Sequence, residues 1–223
     1  MPGAVFIAVI TASFTDEFHL MDQADRAGLL DLVDEKLSIH GGRFIHLKRY
    51  STLRADSDFM IWFSSREPET GHMVKTMFSV EFGKYFRMRN LFLSMYEHSP
   101  YVKKGTSLED TLRVKAMKFF IAYPMSKSSG WYMLPFEERK KILADHIGMA
   151  VSHPENSDII SYTTYSYGLG DHEFVVMYET DSLESWSHVT AKLREAEARK
   201  WIVNETPLIV GSYIENLSSI ILG

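Results

Sequence analysis

The fold of this chain is decided by a decapeptide that occurs twice. Residues 50–59 read YSTLRADSDF and residues 165–174 read YSYGLGDHEF, so that Tyr, Ser, Asp and Phe return at the same places. An apolar run follows each copy, FMIWF at 59–63 and FVVMY at 174–178. Runs rich in aromatic and β-branched residues are typical of strands. The repeat therefore predicts two structurally equivalent halves.

The elements around the two copies also correspond. Each half is expected to contain an opening strand, a helix, two strands, a second helix and a closing strand, which is the order of a ferredoxin-like fold. The chain is thus predicted to be α+β, a tandem ferredoxin-like protein of the dimeric α+β barrel type, with its two sheets packed face to face. The predicted opening strands are 4–10 and 118–123, the first helices 22–39 and 135–152, the second helices 69–86 and 182–202, and the closing strands 91–96 and 208–214.

A connection at 97–113 separates the two halves. It contains Pro100 and Gly105, which disfavour regular structure. We place the boundary within it, with an N-terminal ferredoxin-like half at 1–105 and a C-terminal ferredoxin-like half at 106–223 that carries the candidate site.

Composition argues against several classes of protein. The 223 residues carry 24 Lys and Arg against 29 Asp and Glu, and this net charge of −5 does not favour binding to nucleic acid or to an anionic membrane. No apolar run approaches the ~20 residues of a membrane-spanning helix, and no secretion signal is recognised, so a cytoplasmic location is expected. Because the chain has no cysteine, a metal would need His, carboxylate or Tyr ligands.

Residues suited to chemistry are concentrated in one stretch of the second half. Residues 123–127 read YPMSK, residues 131–139 read WYMLPFEER, and His146 follows. The stretch offers a phenol in Tyr123, an amine in Lys127 and an imidazole that can bind a metal. It therefore indicates a functional site.

The predicted helix that contains His146 is amphipathic. Its apolar face is formed by Ile142, Leu143, His146, Met149 and Ala150. The imidazole is therefore expected to point inward. An inward histidine is either a core residue hydrogen-bonded to a backbone carbonyl or a metal ligand, and the helix alone does not decide between the two.

Together, these strings resemble the chlorite dismutase-like haem protein family, which includes chlorite dismutases and the coproheme decarboxylases of haem synthesis. The resemblance continues through residues 165–174 and through LREAEAR at 193–199, and it is densest in the second half. It implies a tandem ferredoxin-like barrel, usually a homopentamer, that binds an iron porphyrin, haem b or coproheme, and acts with a small oxidant.

The resemblance also implies an iron ligand and a network behind it. His146 matches the proximal histidine that ligates haem iron. Lys127 and Glu197 match a lysine and a glutamate that lie behind this histidine. The alternative for Lys127 and Glu197 is an ordinary surface ion pair, which contributes ~0–1 kcal/mol.

Three further residues are expected at the porphyrin. Tyr123 matches the tyrosine that coproheme decarboxylases oxidise to a radical beside a substrate propionate. Trp131 and Met125 are expected to contact the macrocycle. The alternatives are an interface aromatic for Tyr123 and packing roles for the other two.

Two departures from the family pattern limit what carries over. Chlorite dismutases have a distal arginine that holds the anionic substrate, and the corresponding position here is Ser161, which has no positive charge. Coproheme decarboxylases of one branch have a glutamine at that place, and those of another branch have a histidine that corresponds to Thr106. Decarboxylation nevertheless keeps its key tyrosine, Tyr123, and we therefore predict a peroxide-dependent coproheme decarboxylase or a close relative. One alternative is a chlorite dismutase or general haem peroxidase, and the other is a non-enzymatic, ring-forming ligand-binding protein on the same fold.

Overall fold

The computed structural model describes residues 4–98, 105 and 107–222. In this part of the chain, the strands all belong to one sheet system. The strands are β1 (Val5–Phe14), β2 (His46–Arg54), β3 (Ser57–Ser65), β4 (Phe86–Tyr96), β5 (Phe119–Lys127), β6 (Ile159–Tyr165), β7 (Phe174–Thr180), β8 (Ile202–Asn204) and β9 (Ile209–Ile214). The helices are α1 (Asp16–His19), α2 (Gln23–Ile39), α3 (Glu69–Thr76), α4 (Leu108–Leu112), α5 (Ser129–Met133), α6 (Phe136–Val151), α7 (Leu183–Leu193) and α8 (Ser219–Leu222).

Each half has the strand order of a ferredoxin-like fold. The first half is arranged β4-β1-β3-β2 and the second β9-β5-β7-β6, with antiparallel neighbours throughout. If the four main strands of each half are numbered in chain order, leaving out the short β8, both sheets have the strand order 4-1-3-2, as the split β-α-β arrangement requires. The predicted tandem α+β fold is confirmed.

The two sheets join at their edges and do not simply pack face to face. β4 pairs with β6 where Met95 lies opposite Tyr165, and β2 pairs with β9 along Arg49 to Thr52. Eight strands thereby close into a barrel, with the short β8 added beside β5. Closure pairs the backbone groups that open sheet edges would leave without partners.

The second helix of each half is shorter than predicted. α3 ends at Thr76 and continues as a π-helical turn, Met77–Glu81. α7 ends at Leu193, where the amides of Arg194 and Glu195 bond to carbonyls three residues back, and a 3-10 turn, Glu197–Trp201, follows. Such hydrogen bonds between residues three apart end an α-helix and change the direction of the chain.

The helical layers of the two halves are packed differently. α2 buries Leu30, Val33 and Leu37 against the first sheet, whereas among the residues of α6 only Ile142 is buried. α7 likewise buries Val189 alone among its residues. The second half therefore leaves unfilled space between its helices and its strands. No helix among the described residues is long and apolar enough to cross a membrane.

Candidate functional site

The unfilled space in the second half is a cleft of about 720 Å³, counting the part open to solvent. Strands β5, β6 and β7 form one wall, and α6, α7 and the following 3-10 turn form the other. The lining residues are Tyr123, Met125, Lys127, Leu143, His146, Thr163, Val176, Tyr178, Trp186, Thr190, Leu193, Arg194, Ala198, Arg199, Ile202 and Glu205.

His146 projects from α6 into this cleft. Its Nδ1 is buried and has no hydrogen-bond partner among the described residues. Burial lowers the pKa of His146, and the positive charges of Lys127 and Arg199 lower it further, so the ring is neutral at physiological pH. A neutral imidazole is the form that binds a metal. The core alternative, a ring satisfied by a backbone carbonyl, does not account for the unpartnered nitrogen.

Lys127 lies at the end of β5 and is almost completely buried. Its Nζ lies 3.6 Å from the centroid of the Trp131 ring, a cation–π contact. Burial lowers the pKa of Lys127 to about 8, although the charge of Glu173 opposes the shift. The carboxylate of Glu173 also accepts hydrogen bonds from the Lys127 backbone N–H at 2.7 Å and from the Tyr132 hydroxyl at 2.6 Å.

Three aromatic side chains follow one another along the cleft. The ring of Tyr123 on β5 stacks near Tyr178 of β7, with centroids 6.2 Å apart, and Tyr178 lies 4.3 Å from Trp186 of α7. Burial raises the pKa of the Tyr123 phenol, while its hydrogen bond with Tyr178 opposes the shift. The phenol therefore keeps its proton at neutral pH and is able to donate a hydrogen atom.

Two arginines and one carboxylate complete the lining. Arg194 Nη1 lies 2.9 Å from Glu205 Oε2, and Arg199 Nη1 lies 2.5 Å from Glu205 Oε1. Burial raises the pKa of Glu205, but the hydrogen bonds from Arg199 and Arg194 outweigh it and hold this pKa below its ordinary value. The carboxylate is therefore ionised at neutral pH.

The structure brings together four of the residues selected from the sequence. Tyr123, Met125, Lys127 and His146 all line the cleft, and their functional roles stay predictions. Trp131 does not line it. This side chain packs with Ile142 and Ala198, and these apolar groups join α5, α6 and the 3-10 turn. The same indole ring contacts the Lys127 ammonium and supports it.

Glu197 does not line the cleft, and its functional role stays a prediction. Its side chain is half exposed, its carboxylate pairs with Lys200 at 3.2 Å, and it makes no hydrogen bond with His146 Nδ1, which has no partner among the described residues. The cause is the 3-10 turn after α7, which directs Ala198 and Arg199 toward the cleft and leaves Glu197 outside it.

The two positions considered for distal residues have different outcomes. Ser161 is exposed on β6, and the residue of β6 that lines the cleft is Thr163, two positions along the same face of the strand. Thr106 lies outside the described residues.

Sequence reasoning missed Tyr178, Trp186, Arg194, Arg199 and Glu205. Trp186, Thr190 and Leu193 recur at the spacing of one helix face, and this signal could have identified the inner side of α7. For Glu205 we find no comparable local signal.

Comparison with known proteins gives a consistent result. A family model described as chlorite dismutase matches residues 19–214. The coproheme decarboxylase of Mycolicibacterium smegmatis is 30% identical over 74% of this chain and 71% of its own, and the chlorite dismutase of Ideonella dechloratans is 24% identical over 97% and 79%. The crystal structure of TA0507, provisionally assigned as a chlorite dismutase, is 37% identical, covers 98% of both chains and superposes with a TM-score of 0.89.

Proposed function

Because this chain belongs to the chlorite dismutase family, we propose that its cleft binds an iron porphyrin and that the protein is a peroxide-dependent coproheme decarboxylase. The observation that carries the proposal is His146, a neutral imidazole with an unpartnered buried nitrogen, which lines the cleft between the second sheet and its helices. The relative named coproheme decarboxylase supports the choice of reaction.

The residues of the cleft fit an iron porphyrin. No group of three His, Asp or Glu side chains among the described residues could hold a bare metal ion. A lone imidazole suits iron that already carries the nitrogen ligands of a macrocycle, and His146 would hold that iron. Leu143, Val176 and Leu193 offer apolar surface to the ring. When bound, the cofactor would activate peroxide, which is the oxidant of the reaction.

Tyr123 would act on the propionate that reacts. Its protonated, buried phenol gives up one electron and one proton, and the resulting radical recovers a hydrogen atom from the propionate side chain, which then loses CO₂ and becomes a vinyl group. In total each propionate yields two electrons and one proton. One peroxide accepts the electrons with two protons and gives two waters, so the reaction balances with one proton taken from solvent.

Chlorite dismutation is the second candidate, since a relative with that name aligns with nearly the whole chain. That reaction would require residues of the cleft to hold a small anionic substrate beside the bound cofactor. The wall formed by β6 contributes Thr163, which carries no charge. Because β6 contains no arginine at or beside Ser161, the position where chlorite dismutases are expected to hold their substrate, this strand favours decarboxylation over chlorite chemistry.

The test is to add iron coproporphyrin III to the purified protein and record the Soret band, then to add peroxide and measure product masses. A shifted Soret band followed by loss of two carboxyl groups is expected. Absence of any spectral change would overturn iron-porphyrin binding. Binding with oxygen release from chlorite, and no mass loss with peroxide, would favour the second candidate. Binding with neither reaction would favour a non-enzymatic ligand-binding protein.

A further inference from the structure

We propose that Tyr178 and Trp186 form a path along which the oxidation of Tyr123 passes to the surface of α7. At that surface a small one-electron donor of the ascorbate class would be oxidised, which gives the protein a second activity. The inference rests on the proposed function, because the radical on Tyr123 arises there. It goes further in stating where this radical goes when no propionate is within its reach.

The three side chains follow one another at contact distance. The ring centroids of Tyr123 and Tyr178 are 6.2 Å apart with their planes inclined by 24°, and those of Tyr178 and Trp186 are 4.3 Å apart. Such separations are typical of aromatic rings that pack together. Because electron transfer weakens steeply with distance, rings in contact exchange an electron readily. The hydrogen bond between the two phenols lets a proton move in the same step.

The first half of the chain has phenylalanine at the equivalent place. In the repeat, residues 59–63 correspond to residues 174–178, so Phe63 is the counterpart of Tyr178. Phe63 packs edge to face against Phe44, with centroids 5.3 Å apart, in the cluster that joins the first sheet to α2 and α3. Phenylalanine fills such space but is far harder to oxidise than tyrosine or tryptophan. Packing of helices on a sheet therefore does not require an oxidisable ring at residue 178, whereas electron transfer does.

Trp186 is the member of the path that a donor can reach. It is half-buried on α7 and lines both the main cleft and an adjoining cavity of about 510 Å³, counting the part open to solvent. A small donor in the adjoining cavity would reach the indole while the main cleft is occupied. Trp186 therefore provides the outlet for oxidation that begins at Tyr123.

The electrons and protons of the path balance. The Tyr123 radical takes a hydrogen atom from the Tyr178 hydroxyl, which restores one O–H bond and breaks the other. The Tyr178 radical then takes an electron from Trp186 and a proton from solvent, while the indole N–H releases its proton to solvent. The donor finally gives one electron and one proton to Trp186. In total, one hydrogen atom leaves the donor for each Tyr123 radical that is quenched.

The path can be tested on the full chain without a porphyrin. Azide radicals made by pulse radiolysis take one electron from tryptophan, and the radicals of tryptophan and tyrosine absorb at different wavelengths. We expect a conversion of tryptophan radical to tyrosine radical whose rate does not depend on protein concentration. Trp186→Phe should lose this phase, and Tyr178→Phe should lose most of it. Trp201→Phe, which removes another half-buried tryptophan that does not line the cleft, is the matched control and should keep it.

A second experiment follows the path from Tyr123 outward. The protein is loaded with iron coproporphyrin III and treated with peroxide in the presence of a nitroso spin trap, and peptide masses locate the trapped residues. Wild type should carry an adduct on Trp186, added ascorbate should suppress it, and Tyr178→Phe should lose it. Trp186→Tyr keeps an oxidisable ring and should still be labelled at residue 186. Circular dichroism checks that each variant is folded, and every variant retains an aromatic ring.

The outcomes separate the two proposals. If the porphyrin-free conversion is the same in wild type, Trp186→Phe and Tyr178→Phe, the path is overturned whatever the porphyrin does. If this conversion behaves as expected but iron coproporphyrin does not bind, the proposed function fails and the path between the side chains stands. If binding and decarboxylation occur while Trp186 is never labelled, or is labelled equally in Tyr178→Phe, Trp186 is not the outlet and the second activity is overturned.

Discussion

Lys48 of β2 and Glu179 of β7 form an ion pair inside the barrel, with Lys48 Nζ 2.9 Å from each carboxylate oxygen. Glu179 is fully buried and also accepts hydrogen bonds from the hydroxyls of Tyr162 at 2.9 Å and Tyr50 at 3.3 Å. The cluster joins the two halves of the chain. Because side chains alternate along a strand, Tyr178 points the opposite way, into the cleft. The barrel interior and the candidate site therefore share one strand.

Breaking this pair should destabilise the protein strongly. Glu179→Gln leaves the Lys48 ammonium buried without its counter-charge, and we expect the free energy of unfolding to fall by about 3–5 kcal/mol. Urea denaturation measures it. Adding Lys48→Met to the same variant should restore part of the loss. Glu81→Gln, which removes an exposed partner of Lys36, should change stability by no more than about 1 kcal/mol. Equal effects of Glu179→Gln and Glu81→Gln would contradict a special role for the buried pair.

Removal of the His146 imidazole should abolish the spectrum of bound iron coproporphyrin. His146→Ala takes away the nitrogen that we assign to iron, and the variant should still fold, since Nδ1 makes no hydrogen bond with the described residues. The Soret region of a titration is the measurement. His72→Ala, an exposed histidine of α3, should give the wild-type spectrum. An unchanged spectrum for His146→Ala would mean that another group ligates the iron.

Tyr123→Phe should separate binding from reaction. The ring and its packing against Tyr178 are kept, so affinity for iron coproporphyrin should stay close to that of wild type. Decarboxylation with peroxide should fall to background, because the hydroxyl that donates the hydrogen atom is gone. Product masses report the reaction. Tyr213→Phe, a half-exposed tyrosine of β9, is the control and should react normally. Normal turnover by Tyr123→Phe would remove this phenol from the mechanism.

Lys127 should give stability a distinct pH dependence. Burial holds its pKa at about 8 in the folded protein, below the ordinary value of 10.5. The unfolded chain therefore binds more protons between these two values, and the stability contribution of Lys127 rises as the pH is raised through that window. Relative to Lys127→Met, wild type should gain on the order of 1–3 kcal/mol from pH 8 to pH 10.5.

Denaturation at several pH values measures this gain. Lys140→Met, which removes a lysine whose side chain is 67% exposed, is measured over the same window as the control for the loss of one positive charge. A flat difference between wild type and Lys127→Met would show that Lys127 has an ordinary pKa in the folded protein.

The sequence alone was sufficient to predict the structural features that depend on residues close to one another in the chain. The repeated decapeptide predicted the doubled strand order, and the apolar spacing around His146 predicted a helix with the imidazole turned inward, which α6 shows. Side-chain alternation and helical periodicity are local properties, so they can be read from spacing.

Only the tertiary structure decided how the sheets close and which charges reach the cleft. Pairing of β4 with β6 and of β2 with β9 joins segments far apart in sequence, and no local pattern specifies it. Glu197 and Glu205 are both acidic residues after α7, yet the turn that ends this helix leaves the first exposed and places the second between two arginines. A side chain's position in such a turn depends on the packing of α6, α7 and β5 together, because these elements jointly determine where the chain can pass.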